Sequence, residues 1–219
     1  MNKAAVLASL KEIGLVPVLR ASSVDQALAV AEAIAAGGVR ALEITMTVPG
    51  AIEVMRTLAE RCPDILIGAG TVLDAETARM CILEGAKFVV SPALNLETVE
   101  LCHRYSIAVL PGALTPTEVV TAWQAGADVV KIFPASAVGG AKYLAALKAP
   151  LPQVDMIPTG GVSLETAAEF LEAGAFALGV GSDLVNTKAI AEGKPEVITE
   201  SAKNYLAIVR EFQQRKEAL

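Results

Sequence analysis

Two charged side chains sit inside runs that otherwise read as buried β-strand: Lys131 within DVVKIF (128–133) and Glu43 within RALEIT (40–45). Strand side chains alternate between faces, so Val129, Lys131 and Phe133 share one face while Val130 and Ile132 share the other. In the same way Ala41, Glu43 and Thr45 oppose Leu42 and Ile44. The larger aliphatic residues belong against helices, which leaves the lysine and the glutamate facing inward. Burial favours the neutral amine of a lysine, and a neutral amine attacks a ketone carbonyl to form an imine. A neighbouring carboxylate pulls the other way by stabilising the ammonium form, yet it is also placed to shuttle protons. Once formed, an iminium is an electron sink for the adjacent carbon, so the expected chemistry is cleavage of a carbon–carbon bond. Lys131 is then the nucleophile and Glu43 the general acid and base. The competing reading, a buried ion pair with no chemistry, is expensive to hold in an apolar interior.

Other catalytic sets are poorly represented. The single histidine, His103, falls within the helical stretch LCHRY, which leaves no material for a Ser-His-Asp triad or a multi-histidine metal site. Cys62, Cys81 and Cys102 are odd in number and lack C-x-x-C spacing, so they read as small apolar residues of a protein in a reducing cytoplasm. No metal and no separate cofactor is expected. The net charge of −6, without clustered Lys or Arg, speaks against a nucleic-acid surface. No apolar run approaches membrane length, and Val6, Leu10 and Ile13 fall on one face of an N-terminal helix.

The elements that must position Lys131 and Glu43 repeat along the chain. Strands are predicted at 15–20, 40–45, 65–70, 87–91, 107–111, 128–133, 154–158 and 176–180. Helical patterns at 24–36, 50–60, 75–84, 96–104, 116–125, 140–149 and 164–173 lie between them. Four helices stop in related words, AAGGVR, LEGAK, QAGAD and EAGAF, each a glycine stop followed at once by a strand. Thr115-Pro116-Thr117-Glu118 is a well-formed helix start. Ile198, Ala202, Tyr205, Val209 and Phe212 mark a last amphipathic helix. Eight βα units in 219 residues predict one α/β domain over 1–219. The expected form is a single (β/α)8 TIM barrel with an extra N-terminal helix and a C-terminal helix. A doubly wound open sheet shares the alternation, but the turn after Arg20 is Ala21-Ser22-Ser23 rather than G-x-G-x-x-G.

In such a barrel the site lies at the carboxyl ends of the strands. Strand one then points Val16, Val18 and Arg20 inward, and strand three presents Thr71 just past its end. Lys87, Asp128 and Asp155 fall at strand starts, on the opposite rim, where they are structural or solvated. Thr159-Gly160-Gly161 and Gly179-Val180-Gly181-Ser182 follow strands seven and eight. Barrels commonly hold phosphate on backbone N–H groups at these two loops.

The ordered set of motifs resembles the 2-keto-3-deoxy-6-phosphogluconate/4-hydroxy-2-oxoglutarate (KDPG/KHG) aldolase family. They are LEIT-M-T-VP (42–49), GAGT (68–71), SP (91–92), PG (111–112), KIFPA (131–135), PTGG (158–161) and GVGS (179–182), and they run along the whole chain. The resemblance implies reversible, metal-independent cleavage of 2-keto-3-deoxy-6-phosphogluconate to pyruvate and glyceraldehyde 3-phosphate, in a homotrimer. By the same resemblance Lys131 is the Schiff-base lysine and Glu43 the general acid/base. Thr71 and Pro92 surround the keto acid, Phe133 lies beside the imine, and Thr159, Gly160, Gly161, Gly181 and Ser182 line the substrate site, the glycines and serine receiving the phosphate. Well-known members carry arginine where this chain has Thr47, while another branch pairs that threonine with an arginine at the position of Arg20. Arg20 is therefore expected to supply the cation for the substrate anion.

Two other readings use the same residues: a phosphate-binding barrel isomerase or synthase, and a non-catalytic assembly subunit on the same scaffold. Within the aldolase reading, the gluconate compound, its galactonate epimer and 4-hydroxy-2-oxoglutarate remain competing substrates.

Overall fold

The computed structural model of the chain describes residues 1–218, and strands and helices alternate through it. The strands are β1 (Leu15–Leu19), β2 (Ala41–Thr45), β3 (Leu66–Gly70), β4 (Phe88–Val90), β5 (Ala108–Leu110), β6 (Gly112–Ala113), β7 (Val130–Ile132), β8 (Met156–Pro158) and β9 (Leu178–Val180). The helices are α1 (Lys3–Ile13), α2 (Val24–Ala36), α3 (Ala51–Arg61), α4 (Ala75–Leu83), α5 (Leu96–Arg104), α6 (Pro116–Gln124), α7 (Gly140–Lys148), α8 (Ala167–Glu172), α9 (Thr187–Ala191) and α10 (Glu196–Glu217).

The strands form a six-stranded sheet in the order β5-β4-β3-β2-β1-β9 and a three-stranded sheet in the order β6-β7-β8. Their pairings are parallel. Nine strand segments in two sheets replace the eight strands expected, because the fifth breaks at Pro111, which has no N–H to give the ladder. Lys131 N still donates to Pro111 O (2.9 Å). At the other junction Thr159 bridges Gly179, and Phe176 N donates to Met156 O (2.8 Å). The last three predicted strands are each trimmed at their starts, and the predicted helix 164–173 is ordered as helix only over Ala167–Glu172. A 3-10 turn at Ala135–Val138 and helix α9 lie outside the predicted elements.

Side-chain alternation divides the core as the sequence pattern requires. Leu42, Ile44, Val89, Val109, Val130 and Ile132 pack in the cluster shared with the helices. Val16, Ala41, Phe88, Val90, Ala108, Leu110, Val129 and Ile157 form a second cluster on the concave face. Val6 and Leu10 of α1 join this inner cluster from the side where the strands begin. Leu10 is fully buried, worth about 2 kcal/mol in hydrophobic transfer alone. Helix α10 lays Ile198, Ala202, Tyr205 and Val209 into the outer core. The four repeated helix stops place Gly38, Gly85, Gly126 and Gly174 at φ between 90° and 101°, a left-handed conformation that only glycine adopts without strain. Thr115 and Glu118 form the reciprocal cap expected at the start of α6.

Candidate active site

β2 and β7 bring Glu43 and Lys131 together across the concave face. Lys131 Nζ lies 3.6 Å from Glu43 Oε1, with the two side chains 6% and 3% exposed. That separation is an ion pair but exceeds a hydrogen bond. Among the described residues, Glu43 Oε1 accepts from no donor although it is buried, so its lone pairs are open to a substrate hydroxyl. Phe133, one residue past the end of β7, sets its ring centroid 5.3 Å from Lys131 Nζ. β3 makes the space for this arrangement. A Cβ on Gly70 would stand 2.1 Å from Glu43 Oε1, and one on Gly68 would stand 2.2 Å from the Phe88 ring.

The loops after β8 and β9 border a cleft of about 320 Å³. Its lining includes Arg20, Phe133, Thr159, Gly160, Gly161, Gly181, Ser182 and Asp183. Arg20 falls one residue past the end of β1 and is exposed, so it reaches this cleft from the rim rather than from within the strand. Among the described residues, the backbone N–H groups of Gly161, Gly181, Ser182 and Asp183 donate to no protein acceptor. Unpaired amides beside a guanidinium are suited to an anion. Gly160 and Gly161 take φ of 88° and 77°, and a Cβ on Gly161 would collide with Ser136 at 2.3 Å. Pro92 and Phe133 border a smaller hollow of about 240 Å³, so the Phe133 ring stands between the two spaces.

Thr71 and Thr47 line neither hollow. Thr71 directly follows β3 with φ of 56°, a conformation costing a threonine about 1–2 kcal/mol. Thr47 is exposed and shares a 2.7 Å hydrogen bond with Thr45, whose own hydroxyl proton goes to Leu19 O (2.9 Å). A hydroxyl has one proton, so Thr47 donates to Thr45 and offers a substrate only lone pairs. It cannot stand in for a cationic side chain.

The remaining candidates are structural. His103 Nε2 meets Gly126 O at 2.8 Å on the exposed α5 surface. Asp128 accepts Val109 N (2.9 Å) and pairs with Lys3 Nζ (2.8 Å) at the strand-start rim. Burial pushes the Cys81 thiol up to about 11 and that of Cys102 up to about 12, so both stay protonated and inert. Among the described residues no three His, Cys, Asp or Glu side chains cluster as a metal site, and no helix is long and apolar enough to cross a membrane. Three larger grooves hold none of the predicted site residues: two of about 550 and 500 Å³ around α1 and α10 at the opposite rim, and one of about 630 Å³ between α4 and α5. Gly68, Gly70 and Asp183 were not singled out by spacing. The G-x-G of β3 carries the signal for the first two, since alternation puts both on the inner face.

Fold and site together define an α/β enzyme organised around a buried amine and carboxylate. The family described as KDPG and KHG aldolase matches residues 6–201. The chain is 34% identical over 204 residues to 2-dehydro-3-deoxy-phosphogluconate aldolase of Treponema pallidum (strain Nichols), covering 93% of this chain and 97% of that protein. It is 34% identical over 189 residues to KHG/KDPG aldolase of Escherichia coli (strain K12), covering 86% and 89%. A crystal structure of KDPG aldolase from Legionella pneumophila, with pyruvate captured as a covalent carbinolamine intermediate, superposes with a TM-score of 0.84 at 33% identity, covering 93% and 97%. This chain belongs to the KDPG and KHG aldolase family, the one its motifs resemble, and is a carbon–carbon lyase.

Proposed function

We propose that the chain is a class I aldolase that reversibly cleaves 2-keto-3-deoxy-6-phosphogluconate to pyruvate and glyceraldehyde 3-phosphate. The observation that carries this is the 3.6 Å approach of Lys131 Nζ to Glu43 Oε1, both nearly excluded from water. Lys131 Nζ adds to the keto carbonyl, and loss of water gives the iminium. Glu43 accepts the proton of the hydroxyl at the carbon two positions from the iminium, the carbon–carbon bond breaks, and the aldehyde leaves. Its electron pair passes into the iminium as an enamine. Protonation of the enamine and hydrolysis return pyruvate and free Lys131. No metal or other cofactor enters these steps.

Thr71 and Pro92 are assigned to the keto-acid end and Phe133 to the wall beside the imine. Gly160, Gly161, Gly181 and Ser182 are assigned to the phosphate, with Thr159 at the cleft floor and Arg20 as the cation. The unpaired amides and the guanidinium around one cleft support that division. Thr47 serves as an acceptor for a substrate hydroxyl. 4-Hydroxy-2-oxoglutarate, which lacks the phosphate, is a second substrate that uses the imine but not those loops. The name of the Escherichia coli relative supports it.

We read the nine strand segments as one closed (β/α)8 barrel in a single domain. In support, only Pro111 separates β5 from β6, and the Thr159–Gly179 bridge joins β8 to β9. A homotrimer in the cytoplasm completes the proposal. Leu73, Met80, Leu83, Leu96 and Trp123, each at least 42% exposed, supply apolar surface for subunit contacts, and the three cysteines are free. Sedimentation equilibrium returning a monomer rejects the trimer.

The decisive experiment is reduction with borohydride in the presence of pyruvate. It should add mass irreversibly to Lys131, and Lys131→Ala should lose both the adduct and turnover. Glu43→Gln should form the adduct while turning over about 10²–10⁴-fold more slowly. An unlabelled Lys131, under conditions that label a control aldolase, rejects the mechanism in favour of an isomerase, a synthase or a non-catalytic scaffold.

A further inference from the structure

Asp183 poses a difficulty for the cleft. It follows Ser182 directly and lines the same space as Arg20, Gly161 and Gly181. A carboxylate free to swing there would repel an incoming phosphate and compete with it for the unpaired amides of its own loop. Tyr205 answers this from the far side. Its side chain is fully buried under α10, and its hydroxyl donates to Asp183 Oδ2. A buried phenol must find a partner, and Asp183 is the one it has among the described residues. Because Tyr205 is inaccessible to water, the oxygen it holds points into the protein. Burial, reinforced by the Asp183 carboxylate, keeps the phenol proton in place across the working range.

The hydroxyl is also held at a fixed position. Ile198 and Ala202 precede Tyr205 on the same buried face and Val209 follows it, and a Cβ on Gly37, at the end of α2, would stand only 2.5 Å from Ala202. In the loop, Leu184 N and Val185 N both bond Gly181 O, closing a turn whose one side-chain tie among the described residues is the Asp183–Tyr205 bond. We infer that Tyr205 is a positioning residue for phosphate recognition: it holds the Asp183 carboxylate away from the amides of Gly181 and Ser182, leaving them and Arg20 to the anion. This rests on the reading of the cleft as the phosphate end of the substrate site.

The test compares Tyr205→Phe, Asp183→Asn and the double variant, with inorganic phosphate as calorimetric probe. Kinetics on 2-keto-3-deoxy-6-phosphogluconate and on unphosphorylated 4-hydroxy-2-oxoglutarate run alongside. Tyr205→Phe should weaken phosphate binding about tenfold and lower the ratio of kcat/KM for the phosphorylated over the unphosphorylated substrate by a similar factor. The loss should appear in KM. Adding Asp183→Asn should restore both, since it removes the charge that the tyrosine restrained. Asp183→Asn alone keeps an acceptor for the phenol and should bind phosphate at least as tightly as the parent protein. Undiminished phosphate affinity in Tyr205→Phe, equal losses on both substrates, no rescue in the double variant, or weaker binding by Asp183→Asn each overturns the assignment. Trapping of pyruvate on Lys131 is independent of all these readouts, so failure of the lysine mechanism and failure of the tyrosine's role are told apart.

Discussion

Replacing Gly70 with alanine puts a methyl group where the carboxylate of Glu43 now lies. The new Cβ would stand 2.1 Å from Oε1, 2.5 Å from Cγ and 2.6 Å from Cδ, roughly 1 Å or more inside ordinary contact. Glu43 is 2% exposed, so it cannot escape into solvent. Either the strands spread or the carboxylate moves by about the overlap. Overpacking of this kind costs about 1–3 kcal/mol, a fall in Tm of roughly 2–4 °C per kcal/mol for a chain of this size. A shift of about 1 Å in a proton-transfer group costs on the order of 10²-fold in rate. Gly68→Ala is the matched control. Its Cβ would strike the Phe88 ring at 2.2 Å and bring a comparable loss of stability without driving directly into Glu43. The assay is kcat for retro-aldol cleavage with coupled pyruvate detection, alongside thermal melts and borohydride trapping on the folded variants. Gly70→Ala should keep the Lys131 adduct and lose turnover far more than Gly68→Ala does. Full kcat in folded Gly70→Ala, or an equal loss in both variants, refutes the claim that the placement of Glu43 governs the proton transfer.

At the opposite rim, Asp128→Ala removes the acceptor of Val109 N and the partner of Lys3. It should cost about 1–3 kcal/mol in chemical denaturation and leave kcat unaltered; a lower kcat contradicts the structural role. Asp74 and Glu118 are held below their ordinary carboxylate values by the backbone N–H groups of Thr77 and of Leu114 and Thr115 respectively. A carboxyl depressed in the folded state adds stability that is complete above its unfolded value and is lost as pH falls through its folded one. Melts of Asp74→Asn/Glu118→Gln taken down through the acid range should therefore flatten relative to the parent protein. Parallel curves contradict the linkage.

The parts of the site legible in the sequence are those set by local periodicity. Glu43 and Lys131 could be placed on one inner face because their strands alternate small or charged residues with large aliphatic ones, and the two core clusters divide along that pattern. The four glycine stops were equally local, each a matter of one backbone conformation. Strand ends were less legible. Pro111 reads as part of a strand, yet it interrupts the ladder, and a Cβ on Gly112 would meet the Pro92 carbonyl at 2.2 Å. The tie between Asp183 and Tyr205 was out of reach, because it joins a loop to a helix 22 residues away through a contact that exists only when α10 is docked. Likewise, the value of Gly70 lies in a neighbour's side chain and not in its own strand.

In a barrel closed as proposed above, the first helix turns the concave space into a vessel with one mouth. Val6 and Leu10 stopper it where the strands begin, so everything that reaches Lys131 enters, and departs, where the strands end. A single opening imposes a sequence on the traffic. On the proposed lysine mechanism, the keto-acid portion goes to the bottom and is tethered covalently, and the aldehyde, nearer the exit, must leave before the tether is hydrolysed. In steady-state cleavage pyruvate should then inhibit competitively and the aldehyde noncompetitively; the reverse pattern would mean a second way out.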